Sequence, residues 1–209
     1  QRCRAVIQRA CSAPEHTYVP TTAMLILHDP RCAGYGSSMR PEQPARVIRS
    51  AEHLRRAHPD WRWREPEASD GADAILFTAH TAAHVKRLGQ PRDFDADTPF
   101  FPEIGDHARR SVAAAVGAAR HALSARPAEP VFSLLRPPGH HATADRAMGI
   151  CYLNQIAIAA LVAQAKLGAR RVAVWDFDAH HGNGTEAVLL GRAGILFTSV
   201  HQHPAYPGT

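Results

Sequence analysis

Residues 171–186 read RVAVWDFDAHHGNGTE, an apolar run that ends in two carboxylates and two imidazoles before breaking into Gly-Asn-Gly. A short continuous apolar run rich in β-branched and aromatic residues, closed by turn residues, predicts a strand. A short helix is expected over 185–190, and GILFTSV at 194–200 predicts a second strand. Strand, helix and strand in that order make a parallel unit, because a crossover must carry the chain back before the second strand can lie alongside the first.

The same alternation extends towards the amino terminus. VFSLL at 131–135 predicts a strand that runs into the loop RPPGHHATADRAMG, followed by a helix over 152–167. Further upstream, LILHDP after Met24 reads as a short buried strand, and 45–57 as a helix with Val47, Ile48 and Leu54 on one face. WRWRE at 61–65 alternates as a half-buried strand does, with Trp61 and Trp63 as core residues. Residues 73–88 predict one or two short helices, 89–106 a proline-bearing loop and 108–123 a long helix. The result is an α/β fold with a mainly parallel sheet. The last three strands each lead to His or Asp, so His140, His141, His180, His181, His201 and His203 are expected near the carboxyl edge of the sheet, where such folds bind ligands. No internal repeat or domain boundary interrupts 24–209. Residues 1–23 carry no clean periodicity and no continuous apolar core, so they read as upstream or poorly ordered sequence, with Met24 a candidate start.

With 209 residues, 45% of them hydrophobic, the chain can bury one sizeable core. Its apolar runs are too short to span a membrane, and a cytoplasmic protein is expected. The net charge of +5 comes from scattered arginines, with Lys86 and Lys166 the only lysines; this is a compositional bias and predicts no nucleic-acid patch. Cys3, Cys11, Cys32 and Cys151 have neither CxxC nor disulfide-framework spacing and are expected as reduced thiols.

In an extended segment residues i, i+2 and i+4 share a face, so Asp176, Asp178 and His180 are expected to point the same way. Carboxylate and imidazole together suit zinc or a similar divalent ion, and a hydrolytic zinc site keeps three protein ligands and an open position for water. In RPPGHHA the two prolines stiffen the chain and Gly139 permits a tight turn before two adjacent imidazoles. An imidazole beside a metal can take a proton from water and return it to a leaving amine. Each needs a partner to set its tautomer, and Asp176 and Asn183 are the available polar groups.

RPPGHHA, MGICYLN, VWDFDAHHGNGTE and SVHQHPAYPGT together resemble the histone deacetylase family, of the class II or bacterial type, and also the related acetylpolyamine amidohydrolases. The resemblance extends through PEQPARV, HTAAHV and FDADTP and so covers about 24–209. It implies the arginase-like three-layer α/β fold and a zinc-dependent hydrolysis of an acetylated lysine side chain or acetylated small amine. By it, Asp178 and His180 are zinc ligands. His141, held by Asn183, is the general base and acid, and His140, paired with Asp176, its electrostatic partner. A monovalent cation, usually potassium, is implied among Asp176, Ser199 and the carbonyls of Asp178, His180 and Val200. Asp97 is implied as a rim carboxylate, Arg46 as the arginine of the inner channel, and Gly149, Ile150 and Tyr206 as tunnel walls. Simpler roles exist for several of these: a loop cap for Asp97, a solvated helix residue for Arg46, a packed turn aromatic for Tyr206 and a strand-end hydroxyl for Ser199.

Two departures from the family pattern stand out. Ile150 occupies a position that is commonly Phe, and MRPEQ replaces the usual HPE-type lead. The family's third zinc ligand, an Asp, and its carbonyl-polarising Tyr or His are implied beyond Thr209, so the 209-residue chain alone is expected to be an inactive amino-terminal part of the domain, with a sheet edge and apolar surface exposed. A manganese ureohydrolase of the same fold suits the His pair less well, and a noncatalytic metal- or ligand-binding module is the alternative from a different class.

Overall fold

A computed structural model describes residues 23–209. The readings of 1–22, including any leader and the state of Cys3 and Cys11, lie outside the described residues; Cys32 and Cys151 are both free and buried.

Strand β1, Leu25–Leu27, is buried at every position and takes the centre of a three-stranded parallel sheet ordered β2-β1-β3, with β2 at Arg62–Arg64 and β3 at Val131–Ser133. Alternation along β1 builds the layers. Ile26 faces helix α1, Ala45–Ala57, in a cluster with Val47, Ala51 and Leu134, while Leu25 and Leu27 face Ala114 of helix α4, Ile104–Ser124. One strand therefore carries helices on both faces, the three-layer arrangement that the family resemblance implies. Helix α1 has the expected limits, but Ile48 is 45% exposed and lies off the buried face, which Val47 and Ala51 make. Trp63 packs at the sheet edge with the Arg55 guanidinium 4.1 Å from its ring centre and the His28 ring edge-on.

Two short helices follow, α2 at Asp73–Leu76 and α3 at Ala82–Arg87. Helix α4 begins four residues before the expected position, at Ile104, because Ile104, His107 and Ala108 already belong to its buried face. The preceding loop is shortened accordingly. Helix α5, Gln155–Lys166, is capped by Asn154, whose side chain accepts the Ala157 N–H, and it buries Ala157, Ile158, Ala160 and Val162 against α4. Strand β4, Val172–Asp176, helix α6, Asn183–Leu189, and strand β5, Ile195–Ser199, complete the described chain. β4 and β5 pair in parallel with Asp176 opposite Ser199.

All strand pairing is parallel among the described residues, but it falls into two ladders, β2-β1-β3 and β4-β5, instead of one continuous sheet. On β4-β5 one face packs on the core through Val174 and Phe197, and the other leaves Trp175 67% and Leu196 62% exposed, with Phe177 and Val200 open beyond the strand ends. The exposed apolar surface expected from the sequence is this face. No described helix is long and apolar enough to cross a membrane.

Candidate active site

The loop after β3 is built around backbone crowding. A Cβ at Gly139 would lie 2.3 Å from the Leu153 carbonyl, and one at Gly184 would lie 2.4 Å from that of Ala142, so the segments carrying His140, His141 and Asn183 come together only because these positions are glycine. Asn154, fully buried, then fastens the loop: its Nδ2 donates to the Ala142 carbonyl at 3.0 Å and to Thr185 Oγ1 at 3.2 Å. Thr185 N–H in turn donates to the His140 carbonyl.

The two imidazoles lie side by side, ring centres 3.9 Å apart, each bonded from behind. His140 Nδ1 is 2.9 Å from Asp176 Oδ2, and His141 Nδ1 is 2.8 Å from Asn183 Oδ1. An acceptor at each Nδ1 assigns the hydrogen to that nitrogen and leaves Nε2 of a neutral ring as an acceptor. Burial, and next the neighbouring His140, push the His141 imidazole down to about 4, so it is neutral at physiological pH with Nε2 free to accept a proton. Burial alone would raise the Asp176 carboxyl, but hydrogen bonds from His140 and the Asp178 N–H hold it below its ordinary value.

Both imidazoles line a cavity of about 500 Å³ together with Asp178, His180, Asp97, Arg46, Gly149, Ile150 and Tyr206. The two zinc ligands, the rim carboxylate, the channel arginine and the wall residues that the resemblance implies within this chain thus line one cavity. The Tyr206 ring stands edge-on to His141 with centres 4.9 Å apart. Asp178 Oδ1 accepts the His180 N–H at 2.8 Å and lies 3.2 Å from His180 Nδ1, with both side chains about half exposed. Of Asp176, Asp178 and His180, expected on one face, Asp178 and His180 line this cavity and Asp176 does not. β4 ends at Asp176, so strand alternation stops there, and the partly buried Asp176 carboxylate serves His140 while Asp178 and His180 reach the cavity from the following loop.

Asp178 and His180 are donors of the right chemistry for zinc, but no group of three or more His, Cys, Asp or Glu is placed to hold a metal ion among the described residues. Asp176 and Ser199 lie opposite each other in the β4-β5 register, and Ser199 Oγ is 2.8 Å from His201 Nδ1. Of the six histidines expected at the sheet edge, only His140, His141 and His180 line the cavity. His181 turns away, with Nε2 2.9 Å from Glu186 and Nδ1 2.7 Å from Thr209 Oγ1, and stacks on His201, while His203 is exposed.

Two elements escaped the sequence reading. Arg136, 2% exposed, makes a bidentate pair with buried Glu42 at 2.5 and 2.6 Å and donates to the Cys32 and Tyr35 carbonyls; Glu42 itself lines the cavity. An Arg directly after an apolar strand and before Pro-Pro was the available signal, since a buried guanidinium requires a carboxylate. The second is Thr98, fully buried, whose Oγ1 accepts the Ile150 N–H at 3.0 Å. Gly149 and Ile150 have φ of 56° and 61°, a left-handed turn between the bridged pair Met148 and Cys151. For a β-branched residue that conformation costs on the order of 1–2 kcal/mol. At Gly149 a Cβ would meet His141 Cδ2 at 2.6 Å.

Residues 40–209 match the histone deacetylase domain. A "probable deacetylase" of Methanothermobacter thermautotrophicus is 37% identical over 193 residues, 89% of this chain and 57% of the relative. The acetylpolyamine amidohydrolase 2 of Pseudomonas aeruginosa is 35% identical over 200 residues, covering 90% of this chain and 56% of the relative. The crystal structure of the HDA15 HD domain superposes with a TM-score of 0.81 at 30% identity, over 90% of this chain and 56% of that one. The chain thus spans little more than half the length of these relatives. The arginase-like α/β fold, the His-His site at the carboxyl edge of the strands and the match over 40–209 establish that the chain belongs to the histone deacetylase family.

Proposed function

We propose that the complete protein is a zinc-dependent amidohydrolase that removes the acyl group from acetyl-lysine or a related acylated amine. The observation that carries the reading is the paired imidazoles, each bonded at Nδ1 from behind, beside Asp178 and His180 in one cavity. Asp178, His180 and a donor from outside the described residues would hold zinc, which would supply Lewis acidity towards the amide carbonyl and lower the pKa of water. His141 takes the proton of the attacking water at Nε2 and delivers it to the leaving amine, its neutral ring being an acceptor at pH 7. His140, with Asp176 behind it, stabilises the charge that develops beside it. Ile150, Gly149 and Tyr206 hold the aliphatic chain, Asp97 accepts from the substrate backbone at the rim, and Arg46 faces the inner end. Asp176, Ser199 and the carbonyls of Asp178, His180 and Val200 would hold a monovalent cation such as potassium, which would stiffen the loop that carries the zinc donors; the Asp176–Ser199 register supports this. The 209-residue stretch by itself, with two zinc donors, is inactive.

The test is turnover of acetylated peptides by the complete protein before and after a chelator. Activity lost on metal removal and restored by zinc supports the proposal, and no hydrolysis of any acylated amine with zinc supplied refutes it. Acetylated polyamines belong in the same assay, because the similarity to an acetylpolyamine amidohydrolase supports a small-amine substrate as the second reading.

A further inference from the structure

The wall of the cavity and its rim are carried by segments some fifty residues apart, yet they are joined at two points. Thr98 Oγ1 accepts the Ile150 N–H at 3.0 Å, and Tyr152 Oη donates to the Pro99 carbonyl at 2.6 Å. On the rim side Thr98 is itself fixed: its carbonyl accepts the Phe94 N–H, and its N–H donates to the Asp95 carbonyl. Asp97, next to Thr98, donates its N–H to Asp95 Oδ1. Arg87 anchors the start of this loop through the Arg92 and Asp93 carbonyls and lies over the Phe94 ring, which stands edge-on to Tyr152. On the wall side the Met148–Cys151 bridge closes a two-residue turn whose second residue is isoleucine in left-handed backbone. Such a turn favours Asn or Gly there, so the local sequence alone does not hold it. Gly149, the other residue of the turn, has no free space towards His141 or Tyr206.

We propose that Thr98 is a positioning residue: by accepting the Ile150 amide it holds the Gly149–Ile150 turn in its left-handed form against His141, and it ties that wall to the Asp97 rim so that both grip the substrate chain as one unit. The clamp follows from geometry alone, whereas its effect on substrate rests on the deacylase reading. The distinguishing chemistry is an acceptor at Thr98, since Val fills nearly the same shape without one and Ser keeps it.

The experiment compares Thr98→Val and Thr98→Ser in the natural full-length protein by two readouts. Hydrogen exchange of the Ile150 amide is expected to quicken about tenfold in T98V and to stay near wild type in T98S, while amides of helix α5 do not change in either. With an acetyl-lysine peptide, T98V is expected to raise KM about fivefold with kcat within twofold, and T98S to restore KM. Unchanged Ile150 exchange in T98V, or equal changes in Val and Ser, overturns the clamp. Faster exchange with unaltered KM overturns the grip on substrate. If wild type itself shows no turnover, the deacylase reading falls and the exchange comparison still decides the clamp. As a second variant, Ile150→Asn suits left-handed backbone; combined with T98V it is expected to recover part of the amide protection at residue 150, and no recovery overturns the claim that the clamp offsets backbone strain.

Discussion

Replacing Arg136 with Met removes the charge from a fully enclosed ion pair while keeping much of the side-chain volume. Arg136 is 2% exposed and Glu42 6%, and the guanidinium donates to both Glu42 oxygens and to the Cys32 and Tyr35 carbonyls. It also lies 4.1 Å from the Tyr35 ring centre. In Arg136→Met the Glu42 carboxylate keeps as its cationic partner Arg46, 3.9 Å away and half exposed, and the Cys32 and Tyr35 carbonyls lose the guanidinium. An uncompensated buried charge costs about 3–5 kcal/mol. For a chain of 209 residues that corresponds to a fall in Tm of roughly 6–20 °C. Glu42→Gln alone strands the guanidinium and is expected to cost about 3 kcal/mol. The double variant buries no charge and leaves mainly the two carbonyls unpaired, so it is expected to lose about 2 kcal/mol less than the sum of the single changes. Denaturant unfolding of the four proteins checks this. A loss below about 1 kcal/mol in R136M, or strict additivity in the double variant, would refute the view that this pair is a coupled, desolvated unit.

His80 is 4% exposed, and its Nε2 accepts the Asn154 N–H at 2.8 Å; burial first, and then His84, push its imidazole down to about 4. Its unfolded counterpart binds a proton below about 6.5, so this stabilisation is complete above that pH and is lost as pH falls towards 4, at most about 3 kcal/mol for this group. Unfolding free energies measured across that window should fall towards acid, and His80→Gln should flatten the slope; an identical slope in the variant removes His80 as the cause. Gly149→Ala sets a Cβ 2.6 Å from His141 Cδ2 at a φ of 56°, with His141 pinned by Asn183. It is expected to cost about 1–3 kcal/mol and to cut turnover of the complete protein at least tenfold, checked by denaturation and kinetics side by side; wild-type behaviour in both would show that the turn can shift freely.

The order of strands and helices was legible in the sequence because each element signals itself locally. Leu25–Leu27, Val172–Asp176 and Ile195–Ser199 are short apolar runs closed by polar or turn residues, and the limits of α1 follow from the proline before it and the His-Pro after it. The donors of the site were legible for the same reason, since His140, His141, Asp178, His180 and Asn183 all stand in short motifs. Their division of labour was not. Where β4 stops decides that Asp176 serves His140 instead of the cavity, and hydrogen-bonding partners decide that His181 turns to Glu186 and Thr209.

Composition, periodicity and motif thus determined an α/β chain with parallel strands, a hydrolase-type cluster of imidazoles and carboxylates, and the family. Only the tertiary structure decided what encloses that cluster. Arg136 meets Glu42 across 94 residues and Ile150 meets Thr98 across 52. No periodicity or spacing encodes such pairs, because their partners are chosen by how the layers pack and by the cost of leaving a buried charge or amide unsatisfied.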